Sequence, residues 1–369
     1  MRNLVAAIVA LATLPVLAQS PAPAAAPAEA SKKWFENITP FGYLKAGYFF
    51  VTPAADDALV GAHNGLRLAN VRLGVSLKPA EKLEVVASID GSVAKRNETD
   101  PLNGNRVVDL KDGYVEWTPN RFAALRIGQF KAPFDQEALL PDGQLPFISR
   151  SIVSDGVTPP EGYPQEGLSL DRQLGVQIAS DRLGPEVAGL RYAVAAVNGN
   201  GANVLNNDNN SVGPVARLSY EFRDLVTLGV NGFYDDRLEG VRPNRLQSTR
   251  LGYGGDLGVH VAGVDFLAVY LSRQTTHKAS GLPAETATGL MGQVHYLHQA
   301  SGIEGGARFA TYEPSNVVPD DRLSELAVMV GYRVKQVPLR FLAQLTLRGE
   351  EKSVEVANDS VDVMAQVSW

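Results

Sequence analysis

Between Arg67 and Leu77 (RLANVRLGVSL) apolar and polar residues take turns along the chain. Ala69, Val71, Leu73, Val75 and Leu77 fall on one face, and Asn70, Arg72, Gly74 and Ser76 fall on the other. Alternation with a period of two sends successive side chains to opposite sides of a strand. The same reading holds for Leu83, Val85, Ala87 and Ile89 against Glu84, Ser88 and Asp90, and for Ala216, Leu218, Tyr220 and Phe222 against Arg217 and Ser219. Leu251, Tyr253, Leu257 and Val259 oppose Arg250, Gly254, Asp256 and His260. Leu326, Val328, Val330, Tyr332 and Val334 oppose Glu325 and Arg333, and Leu339, Phe341, Ala343, Leu345 and Leu347 oppose Arg340, Gln344, Thr346 and Arg348. No segment shows strong helical amphipathicity.

The connections alternate as well. Short ones are expected at 79–81, 119–121, 221–224, 261–264, 299–302 and 335–337. Long polar ones are expected at 52–64, 91–105, 131–171, 198–213, 235–248, 273–286, 313–320 and 349–359. One up and one down strand per long loop gives about sixteen strands, an even number, with tight turns at one end and long loops at the other. A soluble sandwich also alternates, but its strands average about five or six residues and these are longer. No constant repeat period points to a propeller or solenoid. The fold class read from the pattern is all-β, a transmembrane antiparallel β-barrel with short periplasmic turns and long extracellular loops. In lipid no water caps a free N–H or C=O, so strands must pair all the way round. Apolar side chains then face acyl chains, and Arg67, Arg72, Arg217, Arg250 and Arg340 need no buried partners if the lumen is wet.

The start of the chain sets the compartment. Met1-Arg2-Asn3 is a short basic stretch, Leu4–Leu17 is an apolar run, and Ala18 offers a cleavage site, so residues 1–18 read as an export signal peptide. Residues 19–39 begin Pro/Ala-rich (QSPAPAAAPAEA) and read as a periplasmic tether, with the barrel at 40–369. Together with the barrel pattern this places the protein in the outer membrane of a Gram-negative bacterium, in contact with its lipid. The last strand carries Val361, Val363, Ala365, Val367 and Trp369 on one apolar face. A terminal aromatic of this kind is, by analogy with outer-membrane proteins in general, a signal to the barrel assembly machinery.

There is no cysteine, hence no disulfide or thiolate site, and the net charge of −6 argues against a nucleic-acid partner. Catalytic motifs are missing too: there is no Gly-x-Ser-x-Gly elbow, phosphate loop or HExxH. The histidines are His63, His260, His277, His295 and His298. His295 and His298, three apart on a strand, face opposite ways and cannot share a metal. The Asn-rich stretch 198–210 lacks a spaced carboxylate set for Ca²⁺ and reads as an extracellular loop. No catalytic residue, metal or cofactor is expected.

Specific residues carry a family resemblance. Asp112–Trp117 (DGYVEW), Leu125–Phe134 (LRIGQFKAPF), Phe147–Ser151 (FISRS), Arg172–Ile178 (RQLGVQI) and Tyr192–Gly201 (YAVAAVNGNG) resemble blocks of the phosphate-selective porin O/P family. The resemblance spans most of Phe41–Trp369, with its distinctive motifs between Asp112 and Gly201. It implies a sixteen-stranded trimeric barrel whose third extracellular loop, here 131–171, folds into the lumen and narrows it. The length of that loop also favours a functional role over an idle connection.

Selectivity in a wide pore comes from constriction size and fixed charge. Lys45, Arg67, Arg72, Arg126, Arg217, Arg250, Arg308, Arg333, Arg340 and Arg348 are expected to line the wall. Asp90, Asp112, Glu116, Asp256, Glu304, Glu325 and Asp362 oppose them, so basic charge prevails by a little. Lys131 and Arg150 match family positions and are carried over as constriction residues, with Asp135, Glu137 and Asp155 as acidic members of the same loop. The loop also holds Asp142, Glu161, Glu166 and Asp171, and so many carboxylates facing an arginine-lined wall predict a transverse field rather than a strong anion trap. Two aromatic girdles are expected: Trp117, Phe122, Tyr220, Phe222, Tyr296, Tyr332 and Trp369 near the short turns, and Tyr48, Phe50, Phe130, Tyr234, Tyr253, Phe309 and Tyr312 near the long loops. The function these features point to is passive diffusion of small hydrophilic solutes or ions, and the resemblance implies a homotrimeric porin with anions such as phosphate among the solutes. The other reading is a plugged structural or adhesive barrel with surface-binding loops.

Overall fold

The computed structural model describes residues 37–51, 64–93, 107–157, 162, 165–185, 187–204, 206–239, 243–278, 281–351 and 356–369. The expected signal peptide, residues 19–36 of the expected tether and most of the first two long connections lie outside the described residues. Along the chain come β1 (Ile38–Val51), β2 (Gly65–Ala80), β3 (Leu83–Val93), β4 (Val107–Asn120) and β5 (Ala123–Lys131). The third long connection then contributes one α-helical turn, α1 (Gln136–Leu139), a short 3-10 turn at Asp142–Gln144, and a two-stranded ribbon of β6 (Gly156–Val157) and β7 (Gln165–Glu166). After it follow β8 (Arg172–Ala179), β9 (Ala188–Val197), β10 (Gly213–Phe222), β11 (Val226–Glu239), β12 (Leu246–Val261) and β13 (Val264–His277). The chain finishes with β14 (Glu285–His298), β15 (Ile303–Glu313), β16 (Leu323–Arg333), β17 (Leu339–Glu350) and β18 (Ser360–Ser368).

All strands except β6 and β7 form one closed antiparallel barrel of 16 strands. Each strand pairs with its neighbour in sequence, β5 with β8 across the inserted loop, and β1 with β18 to close the ring. Closure runs to the last residue: Trp369 N–H donates to Gly42 O at 3.0 Å, and Trp369 O accepts from Gly42 N–H at 3.1 Å. β1 begins at Ile38, two residues ahead of the expected barrel start, because Ile38 and Thr39 already pair with Leu77 and Ser76. One turn was not anticipated, the β8–β9 connection that includes a bridge between Leu183 and Leu190.

The alternation read from the sequence is the alternation of the walls, with the usual sense reversed. On β10, Pro214, Ala216, Leu218, Tyr220 and Phe222 face outward, while Val215 and Arg217 are buried inside. Leu66, Val108, Val194, Val230, Val330 and Phe341 are exposed; Lys45, Arg72, Asp90, Glu304, Arg308 and Gln344 are buried. Apolar atoms facing lipid and charged groups facing the interior are what a bilayer-spanning barrel requires.

Two irregularities adjust this scheme. Arg67 and Arg72 differ in parity, yet both are inward, because a bulge on β2 makes Lys45 pair with Asn70 and Ala46 with Leu68, leaving Ala69 as the extra residue. Ala69 accordingly lies inside, packed against the buried cluster of Phe147, Ile148, Ala327, Met329, Leu342 and Met364, and not on the outer face with Val71. Phe130 and Tyr312, expected in the outer girdle, are both fully buried inside. They share parity with the inward Arg126 and Arg308, and their bulk meets the inserted loop. The other proposed girdle members are exposed on the outer face.

Candidate pore and its inserted loop

The third long connection leaves and rejoins the wall at one place: Ala132 N–H donates to Asp171 O at 2.9 Å, directly beyond the Lys131–Arg172 pair. Between these points the loop folds on itself. Asp135, at φ 65°, caps α1 by accepting from Glu137 N–H at 3.0 Å. Glu137 turns its carboxylate inward, where it accepts from Ser151 N–H at 3.0 Å, Ser151 Oγ at 2.5 Å and Ser154 Oγ at 2.7 Å. Lys131 Nζ donates to Ala138 O and Leu140 O at 2.6 and 2.5 Å. Arg150 donates to Leu140 O at 2.7 Å and pairs with Asp142. Burial, and then the neighbouring Glu137, push the Asp135 carboxyl up to about 7. Burial acts the same way on Asp142, but Arg150, Lys131 and Arg72 outweigh it and hold that carboxyl well below the usual range.

An irregular backbone inside a barrel leaves carbonyls with no ladder partner, and each needs a donor. The wall supplies them. Lys45 reaches Asp142 O at 2.7 Å and Ile148 O at 3.3 Å. Arg308 reaches Ser149 O at 2.7 Å and Arg150 O at 3.2 Å, and Arg340 reaches Leu145 O and Pro146 O at 2.8 and 2.7 Å. Gln366 donates to Gly143 O at 2.7 Å, Arg273 to Gly167 O at 3.1 Å and Tyr312 to Glu166 O at 2.6 Å. Apolar contacts complete the seat: Phe134, Ile152, Val153, Leu168 and Leu170 pack against Val215, Phe233, Val269, Leu271, Met291 and Tyr312. Gly289 lets the loop come close to the wall, since a Cβ there would lie 2.6 Å from the Val153 side chain.

The predicted wall residues are inward, and their charges are largely matched. Arg67 pairs with Asp362 at 3.3 Å, Arg126 with Glu116 at 2.6 Å, Arg217 with Asp256 at 2.6 Å and Arg250 with Asp235 at 2.6 Å. Arg308 pairs with Glu325 at 2.8 Å, Arg333 with Glu304 at 2.9 Å and Arg340 with the same Glu304. Arg72 touches Asp90, Asp112 and Asp142 at 3.2–3.4 Å. Arg348 donates to Asn358 O at 2.9 Å. The expected transverse field is therefore not what the geometry shows: loop carboxylates and wall cations meet directly, Asp142 on Arg72 and Glu137 on Arg308, with no water gap between them.

The proposed constriction residues divide in the same way. Lys131 lines a cavity of about 610 Å³ together with Arg72, Arg126, Arg172, Arg217, Asp112 and Asp142. Asp135 and Glu137 are buried within the loop's own fold, and neither they nor Arg150 border that cavity; Asp155 is exposed on the loop. Asp142 and Arg172, legible from sequence only as charges of the loop and not as constriction residues, do border it. Pro141-Asp142-Gly143 is a legible turn, but nothing local says that Tyr43, Arg72 and Arg150 converge on its carboxylate. A second cavity of about 400 Å³ is lined by His260, Asp265, His295, Gln293, Asp256 and Arg333. Among the described residues no group of His, Cys, Asp and Glu is arranged to hold a metal ion.

A closed 16-strand barrel with a lipid-facing apolar exterior, a charged interior and a loop seated in the lumen defines a porin, and this chain is a channel for passive diffusion across the bacterial outer membrane. Over residues 43–213 it matches the phosphate-selective porin O and P family, in agreement with the resemblance carried by its motifs. No curated protein sequence matches it. Among solved structures it resembles the anion-selective porin from Comamonas acidovorans, with a TM-score of 0.60, 11% identity and 90% of this chain and 99% of that chain covered. It also resembles the outer membrane channel DcaP of Acinetobacter baumannii, with a TM-score of 0.61, 13% identity and 90% and 97% covered. A third likeness is to OmpT of Vibrio cholerae in its trimer form, with a TM-score of 0.58, 11% identity and 90% and 99% covered. At these identities the likeness is one of fold.

Proposed function

We propose that the channel passes small hydrophilic solutes with a modest preference for anions, and that it is not a dedicated phosphate trap. The cavity of about 610 Å³ beside the loop carries this reading. Its arginines already engage carboxylates, so little positive charge is left to capture a multivalent anion. Lys131 borders the same cavity, its ammonium donating to the carbonyl oxygens of Ala138 and Leu140. We take Lys131 as the cation that biases the pore. The protein acts as a homotrimer, is exported by residues 1–18, is tethered by the segment that follows, and is recognised for assembly through Trp369. The name of the V. cholerae relative's trimer form supports the first of these. Transport here needs no catalysis.

Planar bilayers test the proposal. Stepwise ohmic openings are expected, with a small anion-directed reversal potential in a KCl gradient, and K131E should move that potential toward cations. An unchanged potential in K131E would remove Lys131 from the path. Strong block of chloride current by dilute phosphate would replace the weakly selective reading with a selective one. Silence at high protein concentration would favour the plugged, adhesive barrel.

A further inference from the structure

Six successive strands each place one ionisable side chain in a row on the inner wall near the short-turn end. They are His260 on β12, Asp265 on β13, His295 on β14, Glu304 on β15, Arg333 on β16 and Arg340 on β17. Register makes them neighbours: His260 pairs with Asp265, Asp265 with His295, and Arg333 with Arg340. Glu304 can reach sideways because glycines stand beside it. Gly306 is opposite His295, and Gly331 is opposite Glu304, where a Cβ would come within 2.9 Å of the Glu304 side chain.

His295 is the centre of the row. Its Nδ1 lies 3.4 Å from Asp265 Oδ2 and its Nε2 lies 3.0 Å from Glu304 Oε2, and its side chain is only 5% exposed. His260 Nδ1 meets the other oxygen of Asp265, at a position 62% exposed. A neutral imidazole has one N–H donor and ionised carboxylates only accept, so His295 can donate to one of its two carboxylate neighbours while neutral, and a proton added to the ring gives the second a donor as well. Imidazole charge changes between about pH 5 and pH 8.

The cavity of about 400 Å³ gives this row an outlet, since His260, Asp265, His295 and Arg333 all border it. The remaining charges facing it are matched. Asp256 is bound by Arg217, Asp224 by Arg182, and Glu304 by Arg333 and Arg340. The loop borders it with Gln136, Leu140, Gln144 and Pro146, none of them charged. Asp224, Asp256, Asp265 and Glu304 therefore offset Arg182, Arg217, Arg333 and Arg340, and the local balance is near zero while both imidazoles are neutral.

We propose that His260 and His295 form a proton-dependent charge filter at the short-turn mouth, which turns the channel toward anions as they protonate. The inference rests on the porin reading above. Its mechanism is electrostatic, because rings of fixed charge in a narrow lumen set ion preference. Asp265 couples the two histidines, and Arg333 and Arg340 keep Glu304 from cancelling them.

The test is the reversal potential of the full-length protein in planar bilayers under a KCl gradient, at about pH 8 and about pH 5. In the wild type the chloride-to-potassium permeability ratio should rise by roughly twofold or more at the lower pH. H260Q/H295Q should lose most of that rise, the remainder reporting the carboxylates. H260Q, altered only at the exposed rim, should lose part of it and guards against misfolding of the double variant. An equal rise in the double variant, or none in the wild type, overturns the filter while leaving the porin reading intact. A wild type without stepwise conductance at either pH overturns both.

Discussion

Arg308 shows how single residues are used inside this barrel. It is buried at 1% exposure and binds Glu325 at 2.8 Å, Glu137 at 3.4 Å, Ser149 O at 2.7 Å and Arg150 O at 3.2 Å, with its guanidinium 4.7 Å from the Phe147 ring. Five rigid donors let one arginine serve a wall carboxylate and several loop groups together. Removing one member of such a buried pair costs about 3–5 kcal/mol, because the partner charge is left uncompensated. R308M should therefore release the loop while the barrel stays folded. Larger or noisier single-channel currents are expected, with the folded band unchanged on an unheated gel; normal currents would show that Arg308 does not hold the loop. Sequence parity does put Arg308 on the inner wall. Its partners lie 17, 171, 159 and 158 residues away, and no local pattern carries that information.

At the scale of elements, strand β2 shows where pattern reading succeeds for a reason it does not contain. Arg67 and Arg72 are five apart and would face opposite ways on a regular strand, yet the extra residue at Ala69 turns both inward. Deleting Ala69 should restore regular pairing with Arg67 and Arg72 four apart and both still inward, sparing the up to ~2–4 kcal/mol that an arginine turned to lipid at the bilayer midplane costs. Refolding into lipid vesicles at close to the wild-type yield is expected for the deletion, and a large loss would show that the bulge does more than correct the parity of Arg67. The inserted loop is the opposite case. Its length and position were legible, but its seat was not, because the seat consists of contacts such as the edge-on packing of Phe134 on Phe233, with ring centroids 4.9 Å apart. Phe130 and Tyr312 were assigned outward for the same reason: an aromatic on a strand looks alike whether it faces lipid or a loop.

For the whole molecule, the decisive feature is the inversion of inside and outside. On β11, Val230 is 60% exposed amid the apolar outer face, and its inward neighbour Asn231 is buried. V230R should impair insertion by ~2–4 kcal/mol, while T227R on the inner face of the same strand should be tolerated. Urea titration of the protein in vesicles would read both. Equal penalties would contradict the assignment of the two faces.

The chain's own order of residues determined the strands, the facing of most of their residues, and the alternation of short and long connections. Each follows from a period of two and from turn residues near in sequence, which local sterics convert directly into geometry. Which cation meets which carboxylate, where the loop lies, and that six strands align His260 to Arg340 in one row were decided only when the ring closed. Closure sets register and stagger between strands far apart in the chain, so those neighbours exist in the folded barrel and nowhere earlier.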